Sequence, residues 1–247
     1  KHLQTTGGID RFLGFDVAYI PYFANIAILI RQTSTYLKDM DDTKNIHLPS
    51  SIITQALELK ENYTKVYNIG EEKRTAKLEK IIKRKNDKNR PQKESTQSVA
   101  QVLERDRIMR SVNKMFFNMG LLNLYRRVLM LERLSYLVQD LCKEIGDTLQ
   151  LNIEPKSPAE ICSIFCTFCA SCETIDPKMQ ALFLARFTLL IDMGLVNASK
   201  AVKVMEMCWR TGKSWKRCAA DLDIDLTLMG YKENRNHVNL VNCAVIK

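Results

Sequence analysis

Between Leu134 and Ile145 the apolar side chains Leu134, Leu137, Val138, Leu141, Cys142 and Ile145 keep the three-and-four spacing of one helix face. Similar stripes recur along most of the chain, and little interrupts them. Nine glycines and six prolines in 247 residues are too few to punctuate an all-β fold. The expected fold class is therefore all-α, a multi-helix bundle built from antiparallel helix pairs. No strand pattern and no fixed-period repeat stands against it.

The helices can be placed in order. Residues 15–40 form the first, with Asp16 as cap and Phe23, Ile26, Ala27, Ile30 and Leu37 as its apolar positions. Pro49 opens a second, capped by Ser50 or Ser51 and running past Tyr67. Residues 84–98 contain no apolar side chain, which marks a flexible basic insertion. The signal returns at Val99 and breaks between Leu131 and Ser135. Ser157 caps a helix with Pro158 at its first position. Pro177 starts another that stops near Gly194, Asn197 caps the next, and Gly212 ends it. Residues 1–230 are read as one helical domain, with an unplaced tail over 231–247.

Composition limits the setting. No secretory leader is visible, and the longest apolar run, around Ala18 to Ile30, is broken by Pro21 and Asn25. Eight cysteines without secretory context indicate free thiols in a reducing compartment, hence a soluble intracellular protein with no membrane partner. The chain begins at Lys1, as an excised piece of something longer would. Its net charge is +9, and the window 71–94, with ten Lys/Arg against five Asp/Glu, supplies +5 of that excess. The basic segment 77–93 reads as a solubilising insertion, or as a nuclear-import or nonspecific nucleic-acid contact. It has no interleaved aromatics for base stacking.

Candidate chemistry is sparse. Cys162, Cys166, Cys169 and Cys172 tempt a zinc or iron–sulfur reading, but in one helix their steps of four, three and three spread them over about 15 Å of a single stripe. One stripe cannot wrap an ion, so they read as small buried apolar residues. Asp39, Asp41 and Asp42 resemble the magnesium–diphosphate motifs of all-α terpenoid enzymes, yet no second acidic cluster accompanies them. His2, His47 and His237 are isolated. No catalytic, cofactor-binding or metal-ligating residue is expected, and no ligand or partner pocket can be assigned. Trp209 and Trp215 read as anchors that pack the last helices onto the bundle.

Five segments, in order, carry a resemblance: LGFDVAYIPYFANIAILIRQ (13–32), VNKMFFNMGLLNLYRRVL (112–129), LSYLVQDLCKEI (134–145), FCTFCASCETIDP (165–177) and the Asn197, Ala201, Trp209, Trp215 set. Together they are similar to the regulatory domain of fungal zinc-cluster transcription factors, in the subgroup of arginine and lysine pathway regulators. Cys172, Glu173 and Pro177 fall in register. Phe165-Cys166 stand where Trp-Pro is usual, Ser171 replaces a glycine, and Gly120 replaces a small helix former.

The resemblance implies a nuclear, non-enzymatic regulatory domain that couples a signal to transcription. It implies other transcription factors or coactivators as partners, a possible homodimer and a possible small-molecule effector. It also implies DNA binding through a separate upstream zinc cluster, the cysteine spacings here not fitting one. An effector cleft is expected among the helices at 16–37, 112–129 and 158–172. The alternatives are a ligand-free helical scaffold in a chromatin or kinetochore assembly and, further off, a terpenoid-type enzyme.

Overall fold

A computed structural model describes residues 8–10, 13–38, 47–86 and 98–225. Among them are nine α-helices and no β-strand; an isolated bridge pairs Ile9 with Asp16. The helices are α1 (Ile20–Lys38), α2 (Ser50–Asn86), α3 (Val99–Asn123), α4 (Tyr136–Asn152), α5 (Pro158–Cys162), α6 (Ile164–Glu173), α7 (Pro177–Asp192), α8 (Val196–Thr211) and α9 (Trp215–Asp221). The all-α expectation holds.

Entry into the bundle is set by Asp16. Its carboxylate accepts from the amide of Ala18 at 3.0 Å and caps a 3-10 turn, Val17–Tyr19, that leads into α1. Pro21 sits in the first turn of α1, where its missing N–H costs nothing. The start of α2 differs from the expected serine cap. The carbonyl of Pro49 already accepts from Ile52 and Ile53, which puts Ser50 and Ser51 inside the helix.

α2 and α3 run antiparallel. Tyr67 stacks on Phe117 at 4.1 Å, and Glu71 and Thr75 meet Arg110, so numbers rise in one helix as they fall in the other. α3 and α4 pair in the same sense, through Asn118 and Lys114 to Glu144 and Arg107 to Asn152. The hydrophobic core lies where α3, α4, α6, α7 and α8 converge. Met115, Leu122, Val138, Ile145, Phe168, Phe183, Phe187, Val204 and Met205 are all fully or nearly fully enclosed there.

Several sequence expectations are corrected. Residues 84–86 of the supposed flexible insertion are helical, because Leu78, Ile81 and Ile82 keep α2 half-buried into its last turns. At its other end Ser98 and Gln101 form a reciprocal capping box that starts α3; residues 87–97 lie outside the described residues. Leu134 and Leu137 do not belong to the α4 stripe. Leu134 precedes the helix and is 70% exposed, Leu137 is 47% exposed, and Val138, Leu141, Cys142 and Ile145 face inward. Asn197 is not a cap. Leu195 holds that place, and Asn197 lies in the first turn of α8.

The cysteine helix is broken at Ser163, which puts Cys162 on α5 and Cys166, Cys169 and Cys172 on α6. Other boundaries are met. Ser157 caps α5 with Pro158 following, Asp176 caps α7 ahead of Pro177, and Gly212 at φ +70° closes α8. Asp39, Asp41, Asp42, His2, His237 and residues 231–247 lie outside the described residues. No helix among those described is long and apolar enough to cross a membrane.

Candidate functional site

The helices expected to line an effector cleft do meet, but rings fill the space between them. Phe15, Tyr19, Phe23, Tyr63, Phe116 and Phe117 interlock with centroids 4.6 to 6.5 Å apart. Cys162 closes the third side, its thiol donating to the carbonyl of Leu13 at 3.4 Å. This corrects the expected cleft: large aromatic side chains from the entry segment, α1, α2 and α3 pack against one another. Burial pushes Tyr63 well above its ordinary pKa, so it stays a neutral phenol and donates to the carbonyl of Phe116 at 3.4 Å.

A buried ionic junction borders that cluster. Arg74 of α2 bonds Asp16 at 3.0 Å and Glu71 at 2.6 Å, and Glu71 reaches Arg110 of α3 at 3.1 Å. Asn113 accepts from the Asp16 amide and donates to the Tyr19 hydroxyl, each at 2.9 Å. Entry turn, α2 and α3 are thus held by one connected network in which each charge has a partner. Arg74 is the member whose loss matters most, because it is the cation that pairs with the buried Asp16 carboxylate.

The second junction is richer and is the candidate site. α3 ends in a π-helical turn, Leu124–Val128, closed by the bond from the Leu129 amide to the Leu124 carbonyl at 2.9 Å. Such turns occur often at functional positions. This one aims Arg126 at Glu173, the last residue of α6, at 2.7 Å, and Arg126 also donates to the Leu131 carbonyl.

Arg133, in the connection to α4, reaches two helix ends at once. It donates to the carbonyls of Glu173 (3.0 Å), Thr174 (2.6 Å) and Cys208 (2.9 Å), the last in the final turn of α8. The Glu173 and Thr174 carbonyls lie at and just past the end of α6, where a cationic fork is the natural cap, while the Cys208 carbonyl takes Arg133 in addition to the Gly212 amide. Gln139 of α4 donates to the carbonyls of Arg133 and Glu173 and accepts from the Ile175 amide. The Trp209 indole donates to the Ser171 carbonyl at 2.7 Å. Trp215 is buried edge-on against Phe168 at 5.6 Å, with the Arg127 guanidinium 5.6 Å from its ring.

The hub therefore joins the π turn, α4, α6, α8 and α9 through side chains that read one another's termini. It holds little empty space. The depression bounded by Leu122, Asn123, Arg126, Arg127, Cys169, Glu173 and Trp215 measures about 10 Å³, room for one water at most.

The four sequence-flagged cysteines do not assemble into a ligand set. Burial pushes the thiols of Cys166 and Cys172 well above the ordinary range and that of Cys169 to about 12. Among the described residues no group of three or more His, Cys, Asp or Glu is placed to hold a metal ion. Trp209 and Trp215 do anchor the last helices, as their size suggested. Arg126, Arg133 and Gln139 had not been singled out; the signal available was a pair of arginines at the close of a long apolar helix.

A family model for the fungal specific transcription factor domain matches residues 1–229. The chain belongs to that family. The family is one of transcription-factor domains, so the fold serves regulation of transcription. No curated protein and no solved structure matches the chain significantly. For this fungal transcription factor domain, Glu173 acquires a physical role: it is the residue on which the arginines of the π turn and of the α4 connection converge.

Proposed function

We propose that residues 1–230 form one regulatory domain of a nuclear, DNA-bound fungal transcription factor, without enzymatic activity, which couples a protein signal to transcription of target genes. The arginine hub is its coupling element. The carrying observation is that Arg126 and Arg133 tie the ends of α6 and α8 to the π turn and to α4. A shift at any one of these elements must be felt by the others through bonds that are either made or lost, and such discrete networks suit two-state coupling. DNA recognition is assigned to a separate zinc cluster upstream of Lys1. Coactivators, other transcription factors or a second copy of the chain are the partners.

The interlocked rings where a cleft was expected support a macromolecular signal over a small-molecule effector. The scaffold alternative differs in one respect: a scaffold would not change state. A reporter assay separates them. With the domain fused to an unrelated DNA-binding domain, output should differ from that of the binding domain alone. Glu173→Gln should shift that output at unchanged fusion abundance. Output identical to the bare binding domain would remove the regulatory reading, and an output indifferent to Glu173→Gln would remove the hub from it.

A further inference from the structure

The basic segment becomes a defined surface once α2 is seen to run through it. Beyond the Thr75–Arg110 contact, α2 continues for eleven residues to Asn86, about 16 Å of helix. Leu78, Ile81 and Ile82 are half-buried on this stretch, and at about 100° per residue they share one face. Lys77, Lys80, Lys83 and Arg84 fall within an arc of about 120° on nearly the opposite side, and all four are exposed.

The bland explanation is complementarity to the helix dipole, and it covers Lys83 and Arg84 in the last turn. Lys77 and Lys80 lie one to two turns further in, beyond that field's reach. Their cationic face is therefore open to an external anion.

We infer that this face of α2 contacts the phosphate backbone of duplex DNA, adding a sequence-independent hold to a transcription factor whose base reading lies elsewhere. Lys77, Lys80 and Arg84 rise about 4.5 and 6 Å along the helix, while each strand of a duplex offers a phosphate about every 3.4 Å of axis. The face contains no aromatic or large aliphatic residue, so it lacks the anchors on which a protein partner would depend. It also lacks the rings that hold single strands. Point charges without apolar anchors favour the duplex backbone.

Fluorescence anisotropy of a mixed-sequence 20-base-pair DNA duplex, titrated with the 247-residue chain over a range of salt, tests this. Wild type should bind with steep salt dependence. The Lys77→Ala/Lys80→Ala/Lys83→Ala/Arg84→Ala variant, with helicity checked by circular dichroism, should lose at least about tenfold in affinity at low salt. The slope of log K against log salt should flatten by up to about 3.6, at roughly 0.9 per phosphate contact. Lys200→Ala/Lys203→Ala, exposed on α8, should leave both unchanged. Overlapping curves for wild type and the quadruple variant would overturn the inference. So would equal losses from the α8 pair, no wild-type binding, or equally effective competition by single strands or polyglutamate.

Discussion

Arg133→Met is the sharpest perturbation of the hub, because it keeps most of the aliphatic stem and removes the fork. Three bonds disappear together, at 3.0, 2.9 and 2.6 Å, each to a carbonyl in or just past the last turn of a helix. Hydrogen bonds from a charged donor contribute roughly 1.5–3 kcal/mol each, so the low end totals about 4.5 kcal/mol. Arg133 is only half-buried, and water can replace part of what is lost. A net cost of about 2–3 kcal/mol follows, which for a chain of this length lowers Tm by roughly 5–10 °C. Urea denaturation followed by circular dichroism measures it directly. Arg133→Lys should recover less than half, since an ammonium cannot serve both helix ends in fork geometry. A loss for Arg133→Met within about 0.5 kcal/mol of zero would refute the claim that this residue joins α6 to α8.

Other perturbations probe the same physics elsewhere. Arg186→Met should cost about 3–5 kcal/mol, because it strands Glu160, 2% exposed, and frees the Leu149 and Ile153 carbonyls that Arg186 caps. Adding Glu160→Gln should cost less than the sum of the two single variants in urea melts, and strict additivity would show that the pair is not coupled. Gly120→Ala places a methyl 2.8 Å from the enclosed Tyr63 ring and should cost about 1–3 kcal/mol. Gly212→Ala meets nothing within 4 Å and should cost only the left-handed backbone penalty of about 1 kcal/mol, so equal Tm losses for the two glycine variants would contradict the packing.

Alkali should also destabilise the fold. Burial raises Cys166, Cys169 and Cys172 above their ordinary value of 9.0, so stability is whole below about pH 9 and falls as the unfolded chain ionises. For Cys169 the loss ends near pH 12. At pH 10 Cys169 alone should cost about 1.4 kcal/mol, read as a lower urea midpoint than at pH 7. Equal midpoints at the two pH values would be inconsistent with enclosed thiols.

Local signals gave the helices and most of their ends. Ser157-Pro158, Asp176-Pro177 and Gly212 define boundaries through bonds and dihedrals made within a few residues, so they can be read without the fold. Leu134 and Leu137 mislead for the converse reason. Helical spacing says which residues share a face, but the break before Tyr136 and the position of neighbouring helices decide how much of that face is covered. The polar insertion was misjudged in the same way. Residues 84–86 have no apolar side chain of their own, and the half-buried Leu78, Ile81 and Ile82 belong to the preceding turns.

By itself, then, the order of side chains determined an all-helical chain, most of its caps and stops, its cysteines as filler and the family it belongs to. These follow from periodicity, short-range hydrogen bonding and motif order, none of which needs a distant residue. Tertiary structure alone decided that the expected cleft is filled with rings and that Arg133 serves the ends of two helices. It also decided that Glu173 of α6 receives Arg126 of the π turn. Those facts depend on contacts 40 to 75 residues apart in the chain, where converging helix-end carbonyls turn an ordinary arginine into a joint.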